Sequence, residues 1–141
     1  MKKKIKFGII GCSRIAESST IPAILESKIA EIEIIGSRTT SKAKKFAKKF
    51  NCKKYGSYED VLNDNQVDAV YISVPVGLHE KWSIRAAKAG KHILCEKSST
   101  TSYESAKRMV LESRKNGVRI MEGFMFRFHP SIQKVSELIN K

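Results

Sequence analysis

From Lys4 to Glu122 the chain alternates between two apolar rhythms, one suited to strands and one to helices. Residues 4–10, KIKFGII, read as a first strand, and residues 14–27 as a helix that Pro22 kinks or restarts. IEIIGS at 32–37 is a second strand, followed by an amphipathic helix at 41–50. SYEDVLND at 57–64 is a short helix starting near Ser57 or Tyr58, and VDAVYISVP at 67–75 is apolar almost throughout. Runs apolar on both faces belong to buried strands of parallel sheets. Residues 80–90 form a helix ended by Gly90, 91–96 a strand, 102–117 a helix ended by Gly117, and 118–122 a strand. Strands joined by crossovers predict an α/β architecture: a doubly wound parallel sheet with helices on both sides.

Composition narrows the class. At 141 residues, with 41% apolar and 29% charged, the chain is about one domain long, and no apolar run approaches the roughly 18 residues that span a bilayer. MKKKIKFGII starts as a secretory signal does, but no small-residue cleavage site follows it. Cys12, Cys52 and Cys95 are odd in number and lack CxxC spacing, so neither a disulfide framework nor a zinc site is indicated, and a reducing cytoplasm fits best. His92 and His129 have no carboxylate or cysteine at ligand spacing, so no metal is expected.

The net charge of +13 raises the question of nucleic acid. Residues 42–54 hold seven lysines and no acid, yet Ala43, Phe46, Ala47 and Phe50 recur at helical spacing. The lysines are then the wet side of a packing helix. The aromatic residues of this run, Phe46 and Phe50, lie on the packing side and not among the wet lysines as a stacking platform requires, so no nucleic-acid partner is expected, and without a bilayer-length apolar run no membrane partner is expected either.

In a doubly wound sheet, ligands bind at the carboxyl ends of the strands where the winding reverses. The turn after the first strand is GCSRIA. Against the dinucleotide fingerprint G-x-G-x-x-G/A it supplies Gly11 for the tight turn and Ala16 for close helix packing, but puts Ser13 at the second glycine. Cys12, Arg14 and Ile15 complete this Rossmann-type turn as candidate cofactor contacts. Alone the motif is weak, since such turns also occur where nothing binds. After the second strand comes GSRTTSK, where Ser37 and Arg38 offer a hydroxyl and a planar fork of donors. No carboxylate lies between Ile35 and Phe50 to accept from a ribose 2′-hydroxyl, which favours NADP over NAD, with NAD possible.

The stretch YISVPVGLHEKWSIRAAKAGKHILCEKSS at 71–99, with GIIGCSRIA and EGFMFRFHP, resembles the Gfo/Idh/MocA oxidoreductases, relatives of glucose-fructose oxidoreductase and inositol dehydrogenase. Pro75, Leu78, His79, Gly90, Lys91, His92, Glu96 and Lys97 fall at the family's positions. Ser98 replaces the proline that usually follows Glu-Lys, Val76 an asparagine and Phe126 a tyrosine. The resemblance implies an NAD(P)-dependent dehydrogenase or reductase of a sugar, polyol or related alcohol, with a small carbohydrate-like substrate. It makes Lys97 the catalytic group that holds the substrate oxygen and helps move its proton, a role lysines take where burial and nearby charge ease deprotonation. Glu96 would contact the nicotinamide ribose, or pair with a basic neighbour, with Pro75 beside the cofactor. His79 is placed near the cofactor, or is a capping or packing residue at a helix start. Arg127 is placed near the cofactor or substrate, or covers apolar surface.

The resemblance also divides the chain into a nucleotide-binding domain at 1–121 and the start of a substrate domain at 122–141. The rest of that antiparallel-sheet domain, which carries the oligomer interface of the family, is expected to be missing from this chain. A full-length form is expected to be a homo-oligomer. Ile132, Val135, Leu138 and Ile139 fall on one helical face that needs a partner surface. The alternatives are a nucleotide-binding or interaction protein without turnover, and a basic nucleic-acid binder.

Overall fold

The computed structural model describes residues 3–140. Six strands form one sheet: β1 Ile5–Ile10, β2 Ala30–Gly36, β3 Lys54–Gly56, β4 Ala69–Ile72, β5 His92–Cys95 and β6 Ile120–Glu122. Every pairing is parallel, and the order is β3-β2-β1-β4-β5-β6, so the winding reverses between β1 and β4. The helices are α1 Ile21–Glu26, α2 Thr40–Lys49, α3 Tyr58–Asn63, α4 His79–Lys88, α5 Tyr103–Lys115 and α6 Pro130–Ile139.

Neighbouring residues on a strand point to opposite faces, and the two cores follow from that alternation. Ile10, Val70, Ile72 and Ile93 pack against Val61 of α3, Trp82 of α4 and Met109 of α5. Ile9, Ile35 and Tyr71 pack on the other side against Ile21 and Ile24 of α1 and Phe46 of α2. Each isoleucine fully buried this way contributes about 1.5–3 kcal/mol. The expected lysine face is present, because Ala43, Phe46 and Ala47 are buried while Lys42, Lys44, Lys45, Lys48 and Lys49 are exposed.

Three local details refine the sequence reading. Residues 14–27 are not one regular helix: a π-helical turn at Ala16–Thr20 precedes α1, and Pro22 sits in the first turn of α1. Proline cannot donate and crowds the carbonyl four residues back, which the wider turn accommodates. β3 is an edge strand of three residues, too short to show a period, and no run in the sequence located it. β4 covers only residues 69–72 of the long apolar run, and Ser73–Pro75 leave the sheet as a loop.

Ser57 opens α3 with a capping box, its hydroxyl accepting from Asp60 N at 3.1 Å while Asp60 Oδ2 accepts from Ser57 N at 2.7 Å. α3 then lies against the backbone of β2. A Cβ on Gly36 would stand 2.6 Å from Val61 Cγ2, so only glycine allows that approach. On α6, Ile132, Val135, Leu138 and Ile139 form the expected face, and all are exposed. No helix among the described residues is long and apolar enough to cross a membrane.

Candidate functional site

The ladders continue one residue beyond the strands at the carboxyl edge. Ser37 N donates to Gly56 O at 3.0 Å, Gly11 N to Gly36 O at 3.1 Å, Ser73 N to Ile10 O at 2.9 Å, Glu96 N to Ile72 O at 2.9 Å and Gly123 N to Cys95 O at 2.7 Å. Main-chain bonds thus set Ser37, Gly11, Ser73, Glu96 and Gly123 in one row.

The middle of the row is tight. Gly11 has φ +110°, and a Cβ there would lie 3.0 Å from the Ser73 carbonyl carbon. Glycine is required on both counts. Cys12 is buried, and burial pushes its thiol up from the ordinary value. Ser13 uses its hydroxyl internally: Oγ accepts from Ala16 N at 3.1 Å and the Ser13 carbonyl accepts from Glu17 N at 3.1 Å. The serine in place of the second glycine therefore serves as a cap for the first helical turn. Arg14 is exposed and Ile15 half-buried beside it.

A cavity of about 400 Å³ joins Gly11, Cys12 and Ser13 to Ser37 and Arg38, with Pro75 on its far wall. Arg38 is exposed and Ser37 buried. Lys42, one turn into α2, and Tyr58, at the start of α3, also line it, and sequence reasoning assigned neither a contact there. Two cations and no carboxylate face this space. Tyr58 packs edge-on against Trp82 with ring centroids 4.8 Å apart, which ties the cavity wall to the core.

A second cavity, of about 340 Å³, shares Ser73 and Val74 with the first and reaches Ile15, His79, Glu96 and Lys97. Lys97 is exposed. Glu96 is buried, its Oε1 accepting from Tyr71 Oη at 2.7 Å and its Oε2 from Lys97 N at 3.2 Å. The Lys97–Ser98 peptide bond is cis. His79, the first residue of α4, is buried with Nε2 2.7 Å from Val74 O and Nδ1 3.0 Å from Ser98 O. Its ring bridges the loops after β4 and β5, so both nitrogens are engaged with main chain.

Arg127 does not line either of these two cavities. It is exposed in the 3₁₀ turn Met125–Phe128, where it borders a groove with Gln133 and Glu137 of α6. Met125 and Phe128 of the same turn line a cavity with Glu96. Among the described residues no group of three His, Cys, Asp or Glu side chains could hold a metal ion.

The row fits an extended dinucleotide, with a glycine turn that a Cβ would fill, a cationic hollow at one end and a buried carboxylate beside an exposed lysine at the other. Residues 5–124 match the model of an oxidoreductase family with an NAD-binding Rossmann fold, Gfo/Idh/MocA. The chain belongs to that family. Among its Gfo/Idh/MocA relatives, dTDP-3,4-didehydro-2,6-dideoxy-alpha-D-glucose 3-reductase of Actinomadura kijaniata is 37% identical over 97% of this chain and 41% of its own length. D-xylose 1-dehydrogenase (NADP(+)) 2 of Haloferax volcanii is 41% identical over 94% of this chain and 41% of that protein. KijD10, a 3-ketoreductase from Actinomadura kijaniata solved with NADP and TDP-benzene, superposes with a TM-score of 0.93 at 37% identity, covering 98% of this chain and 42% of that one. This chain thus spans about two fifths of the length of these relatives. Its sheet is the Rossmann-type nucleotide-binding unit of the family, a parallel sheet with helices on both sides.

Proposed function

We propose that the row binds NADP(H) in extended form and is the cofactor-binding part of an oxidoreductase acting on a sugar, polyol or related alcohol. The observation that carries this reading is one continuous edge with Arg38 and Lys42 at one end and Glu96 and Lys97 at the other. Ser37 and Arg38 take the 2′-phosphate, with Lys42 adding field from α2. The main chain of Gly11–Ile15 faces the pyrophosphate, while Pro75 and His79 support the nicotinamide end and Glu96 holds its ribose. Bound nicotinamide supplies or accepts the hydride. Lys97 holds the substrate oxygen and passes its proton in the same step. The names of the relatives support a sugar: one reduces a dTDP-linked sugar and another oxidises D-xylose with NADP. Three free thiols fit a reducing cytoplasm.

Titration of the chain with NADPH and NADH, read by quenching of Trp82, tests the cofactor end. NADPH binds more tightly, and Arg38→Ala removes most of that preference, about tenfold or more for a charge-assisted contact to phosphate. NADH binding as tightly as NADPH, or an unchanged preference in Arg38→Ala, overturns the assignment. NADPH oxidation against a panel of sugar aldehydes and ketones tests the substrate class.

A further inference from the structure

Glu96 is a buried carboxylate whose orientation is set from the core of the sheet. Tyr71, in mid-β4, is 1% exposed, and its ring is part of the apolar core that faces α1 and α2. Tyr71 also lines a separate cavity of about 320 Å³, together with Thr20, Glu96 and Phe124. Tyr71 pairs with Leu94 on β5, and Glu96 lies two residues past Leu94, on the same side of the sheet. The phenol reaches that diagonal neighbour at 2.7 Å. Glu96 lines both this cavity and the one that holds Lys97.

We infer that Tyr71 is a positioning residue: by occupying Glu96 Oε1 it stops the carboxylate from turning and aims Oε2 at the Lys97 side of the edge. Oε2 meets the main-chain N–H of Lys97 at 3.2 Å, so the same contact also fixes the direction in which the chain leaves β5. Burial pushes the Tyr71 phenol up from its ordinary value, which keeps it a donor at neutral pH. Phenylalanine at 71 would preserve the ring in the core but leave one oxygen of a buried carboxylate without its donor. The group would then rotate toward other donors, and the ribose contact would be lost with it.

The inference rests on reading the edge as a nicotinamide-dinucleotide site, and two probes separate the failure of each. NADPH spans the whole row, whereas adenosine 2′,5′-bisphosphate occupies only the Arg38 end. Tyr71→Phe weakens NADPH about tenfold and leaves the bisphosphate essentially unchanged, and Glu96→Gln does the same. Because Tyr71 acts through Glu96, the double variant is no worse than Glu96→Gln alone. Additive losses, or equal losses for the two probes, overturn the role of Tyr71 while the cofactor site stands. A wild-type chain that binds neither probe overturns both. A second measurement does not depend on the folding of Tyr71→Phe. With the four tyrosines labelled as 3-fluorotyrosine and Tyr71 assigned by substituting the other three, Glu96→Gln shifts the Tyr71 ¹⁹F resonance. An unmoved resonance overturns the contact.

Discussion

Ser73 donates its hydroxyl to the carbonyl of Gly11 at 2.8 Å, tying the end of β4 to the turn after β1. The two sites are 62 residues apart in sequence, and their approach leaves no space for a side chain on Gly11. Gly11→Ala combines a left-handed backbone with a contact to rigid main chain, a cost of about 1–3 kcal/mol. Urea unfolding followed by Trp82 fluorescence should show that loss, and NADPH quenching should disappear with it. Ser73→Ala removes only the hydrogen bond and is expected to cost about 1 kcal/mol. Equal stability of Gly11→Ala and the parent would contradict the crowding at this turn.

Lys97 holds its main chain against Glu96 while its side chain is exposed, so its loss should separate binding from chemistry. Lys97→Ala is expected to leave NADPH affinity nearly unchanged and to slow hydride transfer by about 10²–10⁴, the usual contribution of a positioned acid or base. Single-turnover NADPH oxidation measures the second quantity and fluorescence titration the first. The parent chain is itself expected to be slow, because Lys97 stands open to solvent and efficient transfer requires water to be excluded from aligned reactants.

Lys54 on β3 meets Glu33 Oε1 on β2 at 2.5 Å and Asp64 Oδ2 after α3 at 2.8 Å. Lys54 holds the Glu33 and Asp64 carboxyls below their ordinary values of 4.5 and 3.8, and Asp64 and Glu33 push the lysine up to about 12 from 10.5. The lowered carboxylates add stability above about pH 4 that is lost as pH falls through their folded values. The raised lysine adds stability below pH 10.5 that is lost as pH climbs toward about 12. The difference in thermal midpoint between the parent and Lys54→Met should therefore be widest from about pH 5 to 10 and narrow on both sides. High salt should shrink it, since Lys54 is partly exposed.

On α6, Leu138 is 59% and Ile139 77% exposed, and Phe126 and Phe128 just before it are exposed as well. Such a contiguous apolar surface favours association. Light scattering on the purified chain should report species larger than a monomer at high concentration, and Leu138→Lys with Ile139→Lys should reduce them. A monodisperse monomer in the parent would refute this.

What could be read from sequence was what is local. The lysine face of α2, the stops at Gly90 and Gly117 and the restart at Pro22 each depend on neighbours within a turn or two. The row of Gly11, Ser37 and Lys97 was legible because strand ends of a doubly wound sheet have only one edge to occupy. β3 escaped notice because three residues show no period. The entry of Tyr58 and Lys42 into the first cavity depends on how α2 and α3 lie across β2 and β3. The contact from Tyr71 to Glu96 crosses 25 residues and two strands, and nothing near either residue announces it. The surroundings of Arg127 depend on where the chain turns after β6, and the 3₁₀ turn at Met125–Phe128 sets it beside Gln133 and Glu137 of α6.

Backbone amides alone space the positions along the carboxyl edge, from Ser37 to Gly123. A peptide bond is the same whatever side chain it carries, so the edge works as a rack with interchangeable fittings. On the proposed assignment, replacing the fitting at Arg38 should retune the choice of coenzyme without disturbing the alignment at Lys97, and a change at Lys97 should leave the phosphate end where it was. If those assignments hold, an edge spaced by main chain lets the two ends be exchanged one at a time, by descent or by design.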